Sequence, residues 1–456
     1  MHRAETSSRL GLFFSLTTAI CAASSAAEAF CGFYVGKSDA SLFNEASQVA
    51  LVRDGERTVL TMSNDYKGEL TDFALVVPVP TTLTREQIHV GERKYLERLD
   101  AYSAPRLVEY YDPDPCSVAF NRSAAPSLLG GLAMRKANEE GSRDRAYGVT
   151  VEARYTIGEY DIVILSAKES AGLETWLRES GYRIPAKASA ALAPYIRQDM
   201  KFFVAKVNLQ GHKEAGFNYL RPIQIAYESK KFMLPIRLGM ANASGPQDLV
   251  IYTLTRRGRV ESSNYRTVKL PTGMDVPLAI KDDFGGFYKA VFQHAHESEG
   301  GRELFTEYAW NMAWCDPCAA PPLSPAELQQ LGVFWLDSGP APMGMTRPKA
   351  PWMGGAPVFL TRLHVRYDAE HFPEDLVFQE TGDQENFQAR YVLRHPFEGA
   401  LSCSGGEHYR QQLEDRRRTE AQTLAQLTGW RSDLVRQKTG TDAASPRPWY
   451  QRLWGK

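Results

Sequence analysis

The chain has 456 residues, 43% of them hydrophobic, with six cysteines, a formal net charge of −1 and a pI near 6.8. That is ample apolar material for a real core, and the length accommodates about three domains at roughly 150 residues each. The near-zero charge provides no global field to attract nucleic acid or an anionic membrane, so electrostatic recognition has to be local.

Arg3 and Arg9 precede an apolar run from Leu10 to Ala23, and Ala27-Glu28-Ala29 places small residues at both positions that a signal peptidase reads. Residues 1–29 are therefore expected to be a cleaved leader, leaving an exported protein, periplasmic or secreted. The run is shorter than the ~20 apolar residues a membrane span needs, and no later stretch qualifies. Cys21 and Cys31 follow Ile20 and Phe30 and so lack the small preceding residue of a lipid-anchored cysteine.

A β-rich module is expected over 30–116. Gln48 to Arg53 meets Thr58 to Met62 across Asp54-Gly55-Glu56, a turn whose glycine tolerates positive φ, so the pair reads as a hairpin. The segment from Phe73 to Pro80 is apolar on both faces and reads as a covered strand that its prolines place near an edge. Arg93 to Ala101 has helical spacing, and Pro105 closes it. Residues 117–148 are rich in Ser, Ala, Gly and charge without a sustained period, the composition of a long insertion. A main region follows over 149–405. Its expected strands are Val149 to Ile157, Tyr160 to Leu165, Lys201 to Leu209, Ile223 to Glu228, Lys231 to Leu238, Leu249 to Thr255, Val358 to Tyr367 and Asn386 to His395. Helices are expected at Ser170 to Ser180 and Phe284 to Ser298. Residues 339–357 are nearly half Gly and Pro and exclude a helix or central strand. A single helix is expected over 406–438, before a tail at 439–456. Strands outnumber helices and mostly adjoin without helical crossovers, which indicates an α+β class of mainly antiparallel sheets with segregated helices.

The segments CGFYVGKSDASLFNEASQVALVRDGERTVLTMSNDYKGELTDFALVVPVP, YSAPRLVEYYDPDPC and EYAWNMAWCDPC together resemble the bacterial domain-of-unknown-function family numbered 2330, from about Cys31 to about Cys403. The resemblance implies an exported bacterial protein and brings no catalytic assignment.

Chemistry is densest at Trp314-Cys315-Asp316-Pro317-Cys318, which is similar to the Trp-Cys-Gly-Pro-Cys signature of thioredoxin-like oxidoreductases. In that chemistry a helix N-terminus stabilises the thiolate of the first cysteine and the second resolves the mixed disulfide. Here Ala319-Ala320-Pro321-Pro322 leaves little room for a helix, and Asp316 opposes ionisation of a neighbouring thiol. A structural Cys315–Cys318 disulfide, or a pair of buried thiols, is the plainer reading, with thiol–disulfide exchange as the alternative. A zinc set of His294, His296, Cys315 and Cys318 has suitable donors, but residues two apart on a helix diverge. No other cofactor is implied.

Removal of the leader keeps Cys31, Cys116, Cys315, Cys318 and Cys403, an odd number for an oxidising compartment. A second bridge is expected between Cys31 and Cys116, which bracket the N-terminal module, although connectivity is not readable from sequence. Arg362, His364 and Arg366 share one face of their strand, and Arg390 and Arg394 one face of theirs. Were the strands neighbours, the five would line an anion-binding face for a carboxylate, phosphate or acidic glycan. The ordinary alternative is the solvated face of a half-buried sheet.

Gly-x-Ser-x-Gly, Walker A, dinucleotide-binding glycine patterns and His-Glu-x-x-His are all absent. The reading that remains is a non-catalytic envelope protein that binds a ligand or partner, neither of which the sequence identifies. From 407 onward ten Lys/Arg stand against six Asp/Glu, and Trp449, Tyr450 and Trp454 lie among Arg447, Arg452 and Lys456. That composition suits weak, salt-sensitive contact with an anionic surface as well as it suits a solvated end.

Overall fold

The computed structural model describes, with their side chains, residues 47–63, 74–116, 149–180, 188–208, 219–241, 245–314, 320–336 and 355–439, excepting 209 and including 210, 212 and 316. It also describes the backbone of 33–36, 43–44, 66–67 and 73. The leader, the 117–148 insertion, most of the Gly/Pro-rich segment, the basic and aromatic tail, and Cys31, Cys315 and Cys318 lie outside the described residues.

Two sheets face each other and helices cover both outer faces, an α+β architecture. One sheet has five antiparallel strands in the order Phe33–Gly36, Phe73–Val79, Lys201–Val207, Tyr160–Ala167, Val149–Ile157. The other runs Arg266–Lys269, Glu303–Asn311, Phe359–Tyr367, Gln247–Thr255, Ser47–Asp54, Arg57–Ser63, Ile223–Glu228, Ile88–Val90, with Phe387–Gln388 added beside Glu303–Asn311. It is mixed, because Gln247–Thr255 pairs in parallel with Ser47–Asp54 and Arg266–Lys269 in parallel with Glu303–Asn311. Strands of the 30–116 stretch thus enter both sheets, and Phe43–Asn44 pairs with Tyr66–Lys67 in a small two-stranded sheet.

Alternation along the strands builds the layers. Val49, Leu51, Leu60 and Met62 of the large sheet meet Leu75, Val77, Ile162, Ile164 and Phe203 of the small one in the space between them. Each such side chain, fully withdrawn from water, contributes about 1.5–3 kcal/mol. The opposite faces carry Ala74, Val76 and Phe202 beneath the helices Ser170–Glu179 and Ala188–Arg197, and Ala50, Val52, Tyr252 and Leu360 beneath Arg93–Ser103 and Pro325–Gln330. A fourth cluster packs Phe287, Val291 and Phe292 of the helix Phe284–Glu299 against Phe305, Tyr391, Leu424 and Leu427. The Asp54-Gly55 turn closes its hairpin with Gly55 at φ 61°.

Three expectations are corrected. The stretch from Asn386 to His395 is two strands: Phe387–Gln388 joins the large sheet, and after Ala389 the strand Arg390–His395 turns away to pair in parallel with Arg106–Tyr111. The helix expected over 406–438 is broken into Ser404–Thr428 and Ser432–Thr439 at Gly429, which has φ 66° and where a Cβ would lie 2.7 Å from the Nδ1 of His294. Cys116 pairs with Cys403, Cα atoms 5.8 Å apart, and not with Cys31. The parallel strands explain this last change. They carry the chain ends beyond Tyr111 and His395 in the same direction, with Asp112 N–H donating to His395 C=O at 2.9 Å, so the cysteines that follow arrive together.

Candidate functional site

Of the five cationic groups expected on one sheet face, the structure brings three together. Arg362, His364 and Arg366 project from Phe359–Tyr367 toward the covering helices, and all three are met by carboxylates of the protein itself. Arg362 Nε donates to Glu307 Oε2 at 2.6 Å and Nη1 to Asp100 Oδ1 at 2.7 Å. His364 Nδ1 lies 2.8 Å from Glu307 Oε1, and Nε2 lies 3.7 Å from Asp248 Oδ1. Arg366 clasps Asp248 through Nε at 2.8 Å and Nη2 at 2.7 Å. The Tyr252 hydroxyl, also donating to Asp100 at 2.6 Å, and the Tyr288 hydroxyl, donating to Glu307, complete the ladder. Arg390 and Arg394 are on the separate two-stranded sheet, where Arg394 Nε donates to Asp275 at 2.8 Å.

Glu307 is the residue that sequence reasoning missed. The pairing of Glu303–Asn311 with Phe359–Tyr367 shifts register between Thr306 and Tyr308, so Glu307 is the extra residue of a β-bulge, a device that re-aims a side chain. Its carboxylate is 0% exposed. Burial alone would raise its pKa, but Arg362 and His364 outweigh burial and hold it below the ordinary carboxylate range. Burial likewise opposes charge on His364, yet Glu307 and Asp248 prevail and its pKa is raised. Asp248 is held well down by His364 and Arg366 against the same desolvation. Three cations thus balance three carboxylates. The legible signal was an acid interrupting the apolar run FTEYAW.

The ladder ends beside a cleft. Phe292 stacks on the His364 ring at 3.7 Å and lies 6.2 Å from the ring of His296. Beyond it, a cleft of about 420 Å³ opens where the helix Phe284–Glu299 stops at Gly300, lined by residues that include Tyr265, Arg266, Arg302, Glu303, His371 and Glu374. His371 Nδ1 is held by both oxygens of Asp368 at 2.9 Å. Glu303 accepts from the N–H groups of Gly301 and Arg302 at 3.2 and 3.1 Å, and burial raises its pKa. His296 lies 3.7 Å from Glu303, its pKa lowered by burial and by Arg366. The Arg302 side chain makes no ion pair among the described residues. The cleft therefore offers an oriented imidazole, an available guanidinium and the carboxylate of Glu374 together.

His294 and His296 part as helical spacing dictates, His294 toward Gly429 and His296 toward Glu303. Among the described residues no three His, Cys, Asp or Glu side chains gather to hold a metal ion. Of the Cys-x-x-Cys segment, Asp316 is described. It accepts from the buried Tyr308 hydroxyl at 3.2 Å and from Gln388 Nε2 at 3.1 Å, while Trp314 is 44% exposed. Residues 320–324 are not helical, and the next helix, Pro325–Gln330, is capped by Ser324.

Residues 25–379 match the model of a family described as an uncharacterized protein conserved in bacteria (DUF2330). The chain belongs to this family. Cys403 and both C-terminal helices lie beyond the residues the family matches. No curated protein and no solved structure matches the chain. Among the described residues no helix is long and apolar enough to cross a membrane.

Proposed function

We propose that this member of the bacterial family is an exported, non-catalytic envelope protein that binds a small polar ligand in the cleft at the end of the helix Phe284–Glu299. The observation that carries the reading is the contrast between two sets of basic side chains. Those of the sheet face are consumed by Glu307, Asp248 and Asp100, whereas Arg302 makes no ion pair among the described residues and stands in an open cleft beside Glu374 and the Asp368-held imidazole of His371. A cleft presenting both signs suits a zwitterion, or an anion carrying hydroxyl groups, better than an apolar molecule. The Cys116–Cys403 bridge supports export, since such bonds persist in oxidising compartments.

Thermal-shift titration with glutamate, glycerol phosphate and galacturonate tests the reading. At least one probe is expected to raise the melting temperature, with the shift lost in Arg302→Ala and His371→Ala. Shifts that survive both substitutions, or none at millimolar probe, would sink it. Against thiol–disulfide exchange stand the anchoring of Asp316 and the non-helical residues 320–324. Reduction of insulin disulfides that vanishes in Cys315→Ser would replace the binding reading with the redox one.

A further inference from the structure

We propose that the helix Ser404–Thr428 is a proton-dependent clasp, held tightly to the body of the protein in acid and loosened as the pH rises to neutrality, with Glu420 as its sensor. The geometry is that of an interface with one carboxylate too many. Asp112 reaches it from the segment after Arg106–Tyr111, Asp275 from the loop alongside Arg390–His395, and Glu420 from the helix itself. Facing them are Arg394, spent on Asp275 at 2.8 Å, and Arg416, whose Nη1 lies 2.7 Å from Asp112 Oδ2. Arg417, on the same helix, adds a weaker favourable field. The helix Phe284–Glu299 meets this helix through apolar side chains, Phe287 and Val291 against Leu424 and Leu427, and its His294 lies at the other end, against Gly429.

Glu420 is poorly served. It is 6% exposed, its nearest cation is Arg416 Nε at 3.5 Å, and that Nε together with Nη2 is buried without a hydrogen-bond partner. Its neighbour Asp112 is the better-satisfied acid, taking Arg416 and the Tyr409 hydroxyl, the latter at 2.6 Å. A proton on Glu420 removes the surplus charge. Burial, only partly offset by Arg416 and reinforced by Asp275, pushes its pKa up to about 7.

Linkage fixes the direction. A carboxyl with a raised pKa when docked and an ordinary one when released binds more protons docked. Docking is therefore strongest below the ordinary value near 4.5, weakens by up to about tenfold per pH unit above it, and levels off past about 7. The Cys116–Cys403 bridge anchors the chain just before the helix begins, so a loosened helix remains attached at its N-terminal end.

Hydrogen-exchange protection factors for 404–439 in the full, oxidised chain test this between pH 5 and 7.5, with the strand Lys201–Val207 as internal reference. Protection of the helix is expected to fall by about two orders of magnitude relative to the reference over that range. In Glu420→Gln it is expected to stay high and flat. A flat wild-type profile, or the same slope in Glu420→Gln, overturns the proposal. Should Glu420→Gln disturb the helix at every pH, Asp275→Asn decides. Removing that negative neighbour is expected to shift the transition toward lower pH, and an unmoved transition rejects the sensor.

Discussion

Beneath the helix Phe284–Glu299, three cationic side chains meet three carboxylates, and Glu307 is satisfied on both oxygens by Arg362, His364 and Tyr288. Beneath Ser404–Thr428, two guanidiniums face three carboxylates, and the Nε and Nη2 of Arg416 are left without hydrogen bonds. Both interfaces are polar and partly buried, yet only the first is closed in charge and in hydrogen bonds. A closed set resists change over a wide pH range because no single proton improves it. An open set has one proton that does.

The sharpest way to break the comparison is to open the closed set. Glu307→Ala leaves Arg362 and His364 buried against a missing partner and is expected to cost about 3–5 kcal/mol in urea unfolding. The triple replacement Glu307→Leu, Arg362→Met, His364→Leu removes the charges together and is expected to cost much less. Equal losses in the two proteins would show that the ladder stabilises by its own attraction. Next in size, Cys403→Ser is expected to lower stability by about 2–4 kcal/mol under oxidising conditions and to make the helix Ser404–Thr428 the first segment to exchange.

Smaller still is the pH response of the ladder. His364 has a raised pKa, so its contribution is present below about 6.5 and is lost as the pH rises through its folded value; Glu307 and Asp248 have depressed ones, so theirs is present above the ordinary carboxylate values and is lost in acid. Stability from this cluster should therefore fall at both extremes, and His364→Gln should flatten the alkaline limb, worth at most about 1.4 kcal/mol per pH unit. A retained alkaline limb would place the titrating group elsewhere. The exposed Arg57–Glu228 pair, 47% and 58% exposed, supplies the baseline: Arg57→Ala is expected to change stability by less than about 1 kcal/mol.

What was legible in the sequence was local. The Asp54-Gly55 hairpin, the helix expected at Phe284 to Ser298, and the alternation of Val358 to Tyr367 follow from turn chemistry and period. The face holding Arg362, His364 and Arg366 was readable as well. Its burial was not, because the partner carboxylates arrive from Asp100, Asp248 and Glu307, on three other elements whose adjacency is set by sheet order. Arg390 and Arg394 were joined to that face by assuming two strands to be neighbours. The break at Ala389 sends the second strand to Arg106–Tyr111 instead, and the same redirection carries Cys403 to Cys116. The cleft was invisible for a similar reason: Tyr265, Arg302 and His371 are spaced too far apart in sequence for any local pattern to unite them.

The bridge between Cys116 and Cys403 also closes 288 residues of backbone, the two cysteines included, into a covalent ring, with the polypeptide leaving the ring at one point in both directions. A protease that cuts once anywhere inside that ring releases nothing. The nicked molecule gains only the water of hydrolysis and, where the cut falls in a surface loop, keeps its packed sheets. It would migrate as one band without reductant and as two with it. Cleavage and loss thereby become separate events, and the second waits for a thiol.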